Sequence, residues 1–86
     1  MKINKAIQEF VDSAIASGYV SKEDRYYLLN RVLYLVGEES FESSKEVEQP
    51  SLLDAMANLV EAAVESGKIE NDSEERDWLE QELMNL

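Results

Sequence analysis

Residues 3–18 read INKAIQEFVDSAIASG, and residues 52–67 read LLDAMANLVEAAVESG. Each is a helix-length segment closed by glycine, and each carries its apolar residues at the same places. In the first, Ile3, Ile7, Phe10, Val11, Ala14 and Ile15 follow the i, i+4, i+7, i+8 spacing of one helical face. Leu52, Met56, Leu59, Val60, Ala63 and Val64 repeat the series at an offset of 49, and Gly67 falls on Gly18. Glycine takes the left-handed turn that ends a helix more readily than any other residue, so both segments stop there. On the first segment Lys5, Gln8, Glu9 and Asp12 fall on the side away from the apolar stripe, where solvent is expected.

A second helix follows each glycine. Ser21 opens one, its hydroxyl placed to accept from the free amides of the next turn, with Asp24 three residues on where a capping-box carboxylate belongs. Tyr27, Leu28, Val32, Leu35 and Val36, flanked by Leu29 and Leu33, give this helix an apolar face broader than a surface helix needs, so it is expected to be the central one. After Gly67 the offset becomes 51, because the second turn is two residues longer. Arg76, Trp78, Leu79, Leu83, Met84 and Leu86 then fall on Arg25, Tyr27, Leu28, Val32, Leu33 and Leu35. Asp72 or Ser73 caps the last helix, and Ser51, with Asp54 three residues later and Pro50 outside, caps the third.

The pattern predicts an all-α protein, a small four-helix bundle built from two similar hairpins with helices near 3–17, 22–36, 52–66 and 74–85. One domain covers 1–86, with hairpin 1–37, an acidic loop 38–50 and hairpin 51–86. Phe41 is the residue by which the loop could be pinned to the bundle. Two amphipathic hairpins of one design can bury their stripes against each other; chance alignment of short amphipathic helices is one source of the repeat, and the matching Gly, Arg and aromatic positions favour duplication of a helix-turn-helix unit. A chain of 86 residues buries only about 60–65% of the surface its unfolded form exposes, so the core is thin.

Charge and composition exclude several functions. Nineteen Asp and Glu against 8 Lys and Arg give a net charge of −11, the wrong sign for a nucleic-acid partner. The apolar residues of the first helix are interrupted by Gln8, Glu9 and Asp12, which is incompatible with a signal-peptide core or a membrane span. Absence of cysteine fits a reducing cytoplasm. Absence of histidine, the usual acid–base group near neutral pH and the commonest metal ligand, together with that of cysteine removes most catalytic and zinc arrangements. All three glycines end helices, so no phosphate-cradling loop is available, and ENDSEE at 70–75 lacks the internal glycine and ligand order of a calcium loop. Catalytic, cofactor-binding and metal-binding residues are therefore expected to be absent.

What remains are five contact candidates. Arg25 and Arg76 sit in the first turn of their helices, the end where the dipole disfavours a cation. Either they reach another domain or an anion, or they pair with nearby carboxylates and pack their stems over the partner hairpin. Tyr27, Arg31 and Trp78 complete the set. With Tyr26 and Tyr34, these aromatics stand beside Leu and Val at helical spacing and are expected in the core and its rim. Exposure of any of them in a patch would favour a protein interface.

The stretches INKAIQEFVDSAIASGYVSKEDRYYLLNRVLYLVG and LLDAMANLVEAAVESGKIENDSEERDWLEQELMNL together resemble the amino-terminal region of bacterial class II galactose-1-phosphate uridylyltransferases. EDRYYLLNRVL and SEERDWLEQELM carry most of that resemblance. It implies an enzyme of galactose metabolism that moves a uridylyl group between UDP-glucose and galactose 1-phosphate through a covalent nucleotidyl-histidine. This chain has no histidine to match. The resemblance thus implies a noncatalytic helical preface whose partner is the catalytic portion of the same enzyme or a second copy. The rival expectation is an independent acidic interaction module or homodimer.

Overall fold

The computed structural model describes residues 3–38 and 50–86. The residues between, including Phe41 and most of the acidic loop, lie outside the described residues. The described residues form four α-helices, α1 (Ile3–Ala16), α2 (Arg25–Val36), α3 (Leu52–Glu65) and α4 (Ser73–Met84), and a 3-10 turn at Lys22–Asp24 leading into α2. There are no strands among the described residues. The all-α bundle of two hairpins is as the apolar periodicity requires.

The helices end where glycine permits. Gly18, Gly37 and Gly67 all have positive φ, and no other described residue does. The two inner turns share their first hydrogen bonds, and the first turn adds one from Val20 N–H to the Ala14 carbonyl at 3.2 Å. Gly18 N–H donates to the Ile15 carbonyl and Tyr19 N–H to that of Ala14, at 3.1 and 2.9 Å. Gly67 to Val64 and Lys68 to Ala63 have the same two lengths. Helix starts are less uniform. The Ser51 hydroxyl accepts from Asp54 N–H at 3.2 Å and the Asp72 carboxylate from Glu75 N–H at 2.8 Å, both true caps. Ser21 does not cap as expected. The chain enters α2 through the 3-10 turn, so the Ser21 carbonyl takes the Asp24 N–H at 3.0 Å, and the hydroxyl donates to the Asp24 carboxylate instead.

The core joins all four helices. α1 packs on α2 and α3, and α4 on α2 and α3, with α1 against α3 the most extensive contact. Those two helices carry Ala6, Ala14, Ala55, Ala62 and Ala63, all fully buried. Small side chains let helix axes approach closely, and the larger residues of the same two helices, Ile7, Phe10 and Leu59, are fully enclosed in the core. This overturns the expectation that the second helix is central. Eight residues of α1 are buried, against four of α2: Leu28, Val32, Leu35 and Val36. The aromatics make α2 look apolar, but they lie out of phase with those four.

Two residues placed on the solvent side of α1 are also buried. Gln8 and Glu9 are nearly inaccessible, and Ser13 with them donates its hydroxyl hydrogen to the Pro50 carbonyl at 2.9 Å. The amphipathic reading failed here because α1 is enclosed on more than its apolar stripe. Among the described residues the Glu9 carboxylate keeps one buried oxygen without a hydrogen-bond partner.

If the alanine seam sets the fold, enlarging it at equivalent points should cost the same in both hairpins. Ala14→Leu and Ala63→Leu are each expected to lower the free energy of unfolding by about 1–3 kcal/mol in urea titrations. Ala57→Leu, on the exposed side of α3, should change it by less than about 0.5 kcal/mol.

Candidate functional site: the clamped arginines and the exposed aromatic face

Arg25 is the first residue of α2 and Arg76 the fourth of α4, both in the first turn, and both turn back onto the helix before them. Arg25 Nη1 donates to Asp12 Oδ1 of α1 at 2.5 Å. Arg76 pairs through Nη2 with Glu61 Oε1 of α3, while its Nη1 donates to Asn71 Oδ1 at 2.8 Å. Asp12 and Glu61 are 49 residues apart, the spacing that relates α1 to α3, so the two ion pairs occupy one position of the repeat. The unfavourable placement of a cation at a helix start is thereby offset locally, and each hairpin is braced across its own two helices. The Arg25 side chain is still 43% exposed and that of Glu61 53%, so each brace contributes at most about 1 kcal/mol.

A second pair of contacts crosses between hairpins. Tyr19, just after Gly18, donates its phenolic hydrogen toward the Leu83 carbonyl at 3.0 Å and the Met84 carbonyl beside it, where α4 ends. Lys68, just after Gly67, reaches Glu38 just beyond α2, Nζ to Oε1 3.2 Å. Each inner turn therefore holds the far end of the other hairpin's second helix. Position 19 and position 68 are equivalent in the repeat, though one uses a phenol on carbonyls and the other an ammonium on a carboxylate.

The aromatic candidates lie elsewhere than expected. Tyr26, Tyr27 and Tyr34 are 80, 63 and 77% exposed, and Trp78 is 45% exposed. Their neighbours Leu28 and Leu79 are the residues that turn inward, fully enclosed. A four-helix core of this size accepts only one stripe from each outer helix, and Leu28, Val32 and Leu35 supply it on α2, Leu79 and Leu83 on α4. Tyr27 and Trp78 each precede the first leucine of that stripe by one residue, so both are rotated off the core at equivalent points of the repeat. Arg31 lies with its guanidinium carbon 5.9 Å from the centre of the Tyr34 ring, a cation–π contact. Leu53 and Met84 are exposed apolar residues as well.

Sequence reasoning missed a groove at the first corner. Tyr19, Val20, Ser21, Tyr27, Leu28 and Leu86 surround a space of about 280 Å³. Apolar residues from three separated parts of the chain form it, so no local spacing could have shown it. Among the described residues, no cluster of His, Cys, Asp or Glu has the arrangement of a metal site, and no helix is long and apolar enough to cross a membrane.

Comparison with known proteins gives one consistent result. The chain is 39% identical over 80 residues to galactose-1-phosphate uridylyltransferase 1 of Streptococcus pneumoniae serotype 4, a match covering 93% of this chain and 16% of that protein. Galactose-1-phosphate uridylyltransferases of Streptococcus mutans serotype c and Lactiplantibacillus plantarum are 37 and 39% identical over 80 and 82 residues. The chain spans 16% of the length of these curated relatives. No family model matches the chain, and no solved structure does.

The repeated brace is measurable. A double-mutant cycle with Asp12→Asn and Arg25→Gln should give a coupling of about 0.2–1 kcal/mol, and Glu61→Gln with Arg76→Gln a value in the same range. Both should shrink in about 1 M salt. Tyr19→Phe should cost about 0.5–1.5 kcal/mol, largely independent of salt.

Proposed function

Because this chain is related in sequence to a segment of the bacterial galactose-1-phosphate uridylyltransferases, we propose that it is the noncatalytic amino-terminal helical domain of a UDP-glucose:hexose-1-phosphate uridylyltransferase of galactose metabolism. The observation that carries this reading is the match itself, which takes in 93% of the chain but 16% of the relative. Chemistry agrees with that division. The nucleotidyl-histidine implied by the resemblance needs a nucleophile, and none of these 86 residues is histidine. The reacting groups then belong to the catalytic portion, and the bundle has a structural task, in the cytoplasm where galactose is processed.

That task is docking. Arg25, Tyr27, Arg31, Arg76 and Trp78 form the proposed contact set, against the catalytic portion or a second copy of the chain. Tyr27 and Trp78 are the anchors, since a half-exposed ring brings large apolar area at little conformational cost. Arg25 and Arg76, already fixed by Asp12 and Glu61, present ordered guanidinium groups at the rim. A net charge of −11 favours a partner surface richer in Lys and Arg. The alternative, a stand-alone acidic interaction module or homodimer, uses the same exposed aromatics with a different occupant.

The test combines activity with assembly. The 86-residue chain alone should transfer no uridylyl group from UDP-glucose to galactose 1-phosphate. The catalytic portion expressed without it should lose heat stability or assembly and regain it when the chain is added. A Tyr27→Ala, Trp78→Ala chain should bind that portion at least about tenfold more weakly, as for interface anchors. Turnover by the chain alone, or a catalytic portion indifferent to it, contradicts the proposal. A concentration-dependent dimer of the chain by light scattering, with no affinity for the catalytic portion, would establish the alternative.

A further inference from the structure

The geometry points to the neighbouring outer faces of α2 and α4 as a surface that pairs with the same surface of a second copy of this chain. The inference rests on the docking reading above and names which occupant the exposed aromatics take. α2 and α4 pack on one another, and the contacts at their ends fix their relative sense. Tyr19, ahead of α2, reaches the end of α4, and Lys68, ahead of α4, reaches Glu38 beyond α2, so the two helices run antiparallel. Residues related by the repeat offset of 51 share their exposure: Tyr26 with Asp77 and Tyr27 with Trp78 are exposed, and Arg31 with Glu82 is half-buried.

These matched positions differ in charge. α2 holds Arg25 and Arg31 and no Asp or Glu, alone among the four helices, whereas α4 holds five acids and Arg76. Arg25 is committed to Asp12, but among the described residues Arg31 has no carboxylate partner, and Asp77, Glu80 and Glu82 have no ion pair. Two chains of charge −11 repel at long range, so a second copy approaches most easily where one side lacks acids. On α2 a basic partner meets Arg31 and no counter-charge, while the acidic face of α4 from a second copy supplies one. Because α2 and α4 lie side by side, one twofold axis sets α2 on α4 and α4 on α2 of the other copy at once. The contact then closes at two copies instead of growing into a filament. Tyr26, Tyr27, Tyr34 and Trp78 of each copy provide the large rings that such an interface buries. Paired bundles also present two attachment points to the catalytic portions, so the same aromatics strengthen that attachment through avidity.

Light scattering of the 86-residue chain from about 1 μM to about 1 mM should show monomer passing to dimer. Arg31→Glu and Glu82→Arg should each weaken the dimer at least about tenfold. An equal mixture of the two variants should regain it, since both contacts then join opposite charges. Tyr26→Glu, at a position 80% exposed, should weaken the dimer as much while helical circular dichroism stays unchanged, which separates lost pairing from lost folding. A dimer indifferent to Arg31→Glu and Tyr26→Glu, or a mixture that stays monomeric although both variants are helical, overturns the pairing of α2 with α4. A chain monomeric throughout also overturns it. The docking reading then stands if Tyr27→Ala, Trp78→Ala still weakens binding to the catalytic portion, and falls with the pairing if it does not.

Discussion

The close approach of α1 and α3 along their alanines is the constraint on which the rest of the bundle depends. Ala6, Ala14, Ala55, Ala62 and Ala63 are fully buried and have no side chain beyond Cβ, so they permit close packing of α1 and α3, with Ile7, Phe10 and Leu59 enclosed in the same core. Once that pair is formed, α2 and α4 have only its flanks to cover. Each then buries a single narrow stripe and leaves its remaining apolar residues outside. Exposure of Tyr27 and Trp78 is therefore a consequence of where the core was placed, and it supplies the surface to which docking is attributed.

The repeat explains more than helix count. Asp12 with Arg25 and Glu61 with Arg76 are one brace used twice. A cation at a helix start is tolerated in both because the preceding helix presents a carboxylate to it. Tyr19 and Lys68 hold equivalent positions, but their targets differ: Tyr19 meets the Leu83 and Met84 carbonyls inside the end of α4, and Lys68 the Glu38 carboxylate beyond α2. The two-residue lengthening of the second turn has a visible effect, since Ile69 is buried where its counterpart Val20 is only partly so. Val20 therefore helps line a groove, and the second corner is more tightly filled at that position.

Much of this could be read in the residues. Apolar spacing and three glycines placed the four helices to within one to three residues of their observed ends, and the Ser51 and Asp72 caps act as such local signals usually do. Four readings failed, each where a local signal met a tertiary decision, the first being the aromatics Tyr26, Tyr27, Tyr34 and Trp78, expected in the core and its rim but exposed. Ser21 lost its cap because a 3-10 turn gave the same amide a backbone acceptor. The amount of apolar surface on α2 points to a central helix, whereas the phase of that surface decides burial. Gln8 and Glu9 are buried although their side of α1 is polar, because enclosure depends on what packs over a helix. The Arg25 and Arg76 pairings were among the expectations, but their equivalence became visible only when Asp12 and Glu61 were found at the same point of both hairpins.

The chain spans 16% of the curated relatives it matches, and the proposed docking surface is built on its exposed aromatics. That account stands on the alanine seam, because a different core would send Tyr27 and Trp78 inward and remove the docking surface. The most direct measurement is a methyl and aromatic NOE spectrum of the labelled 86-residue chain in solution. The account predicts NOEs between the alanine methyls of α1 and α3, and none from the Tyr27 or Tyr34 rings to Phe10 or Leu59. Strong NOEs from those tyrosines to Phe10 and Leu59, with no α1–α3 methyl contacts, would contradict it.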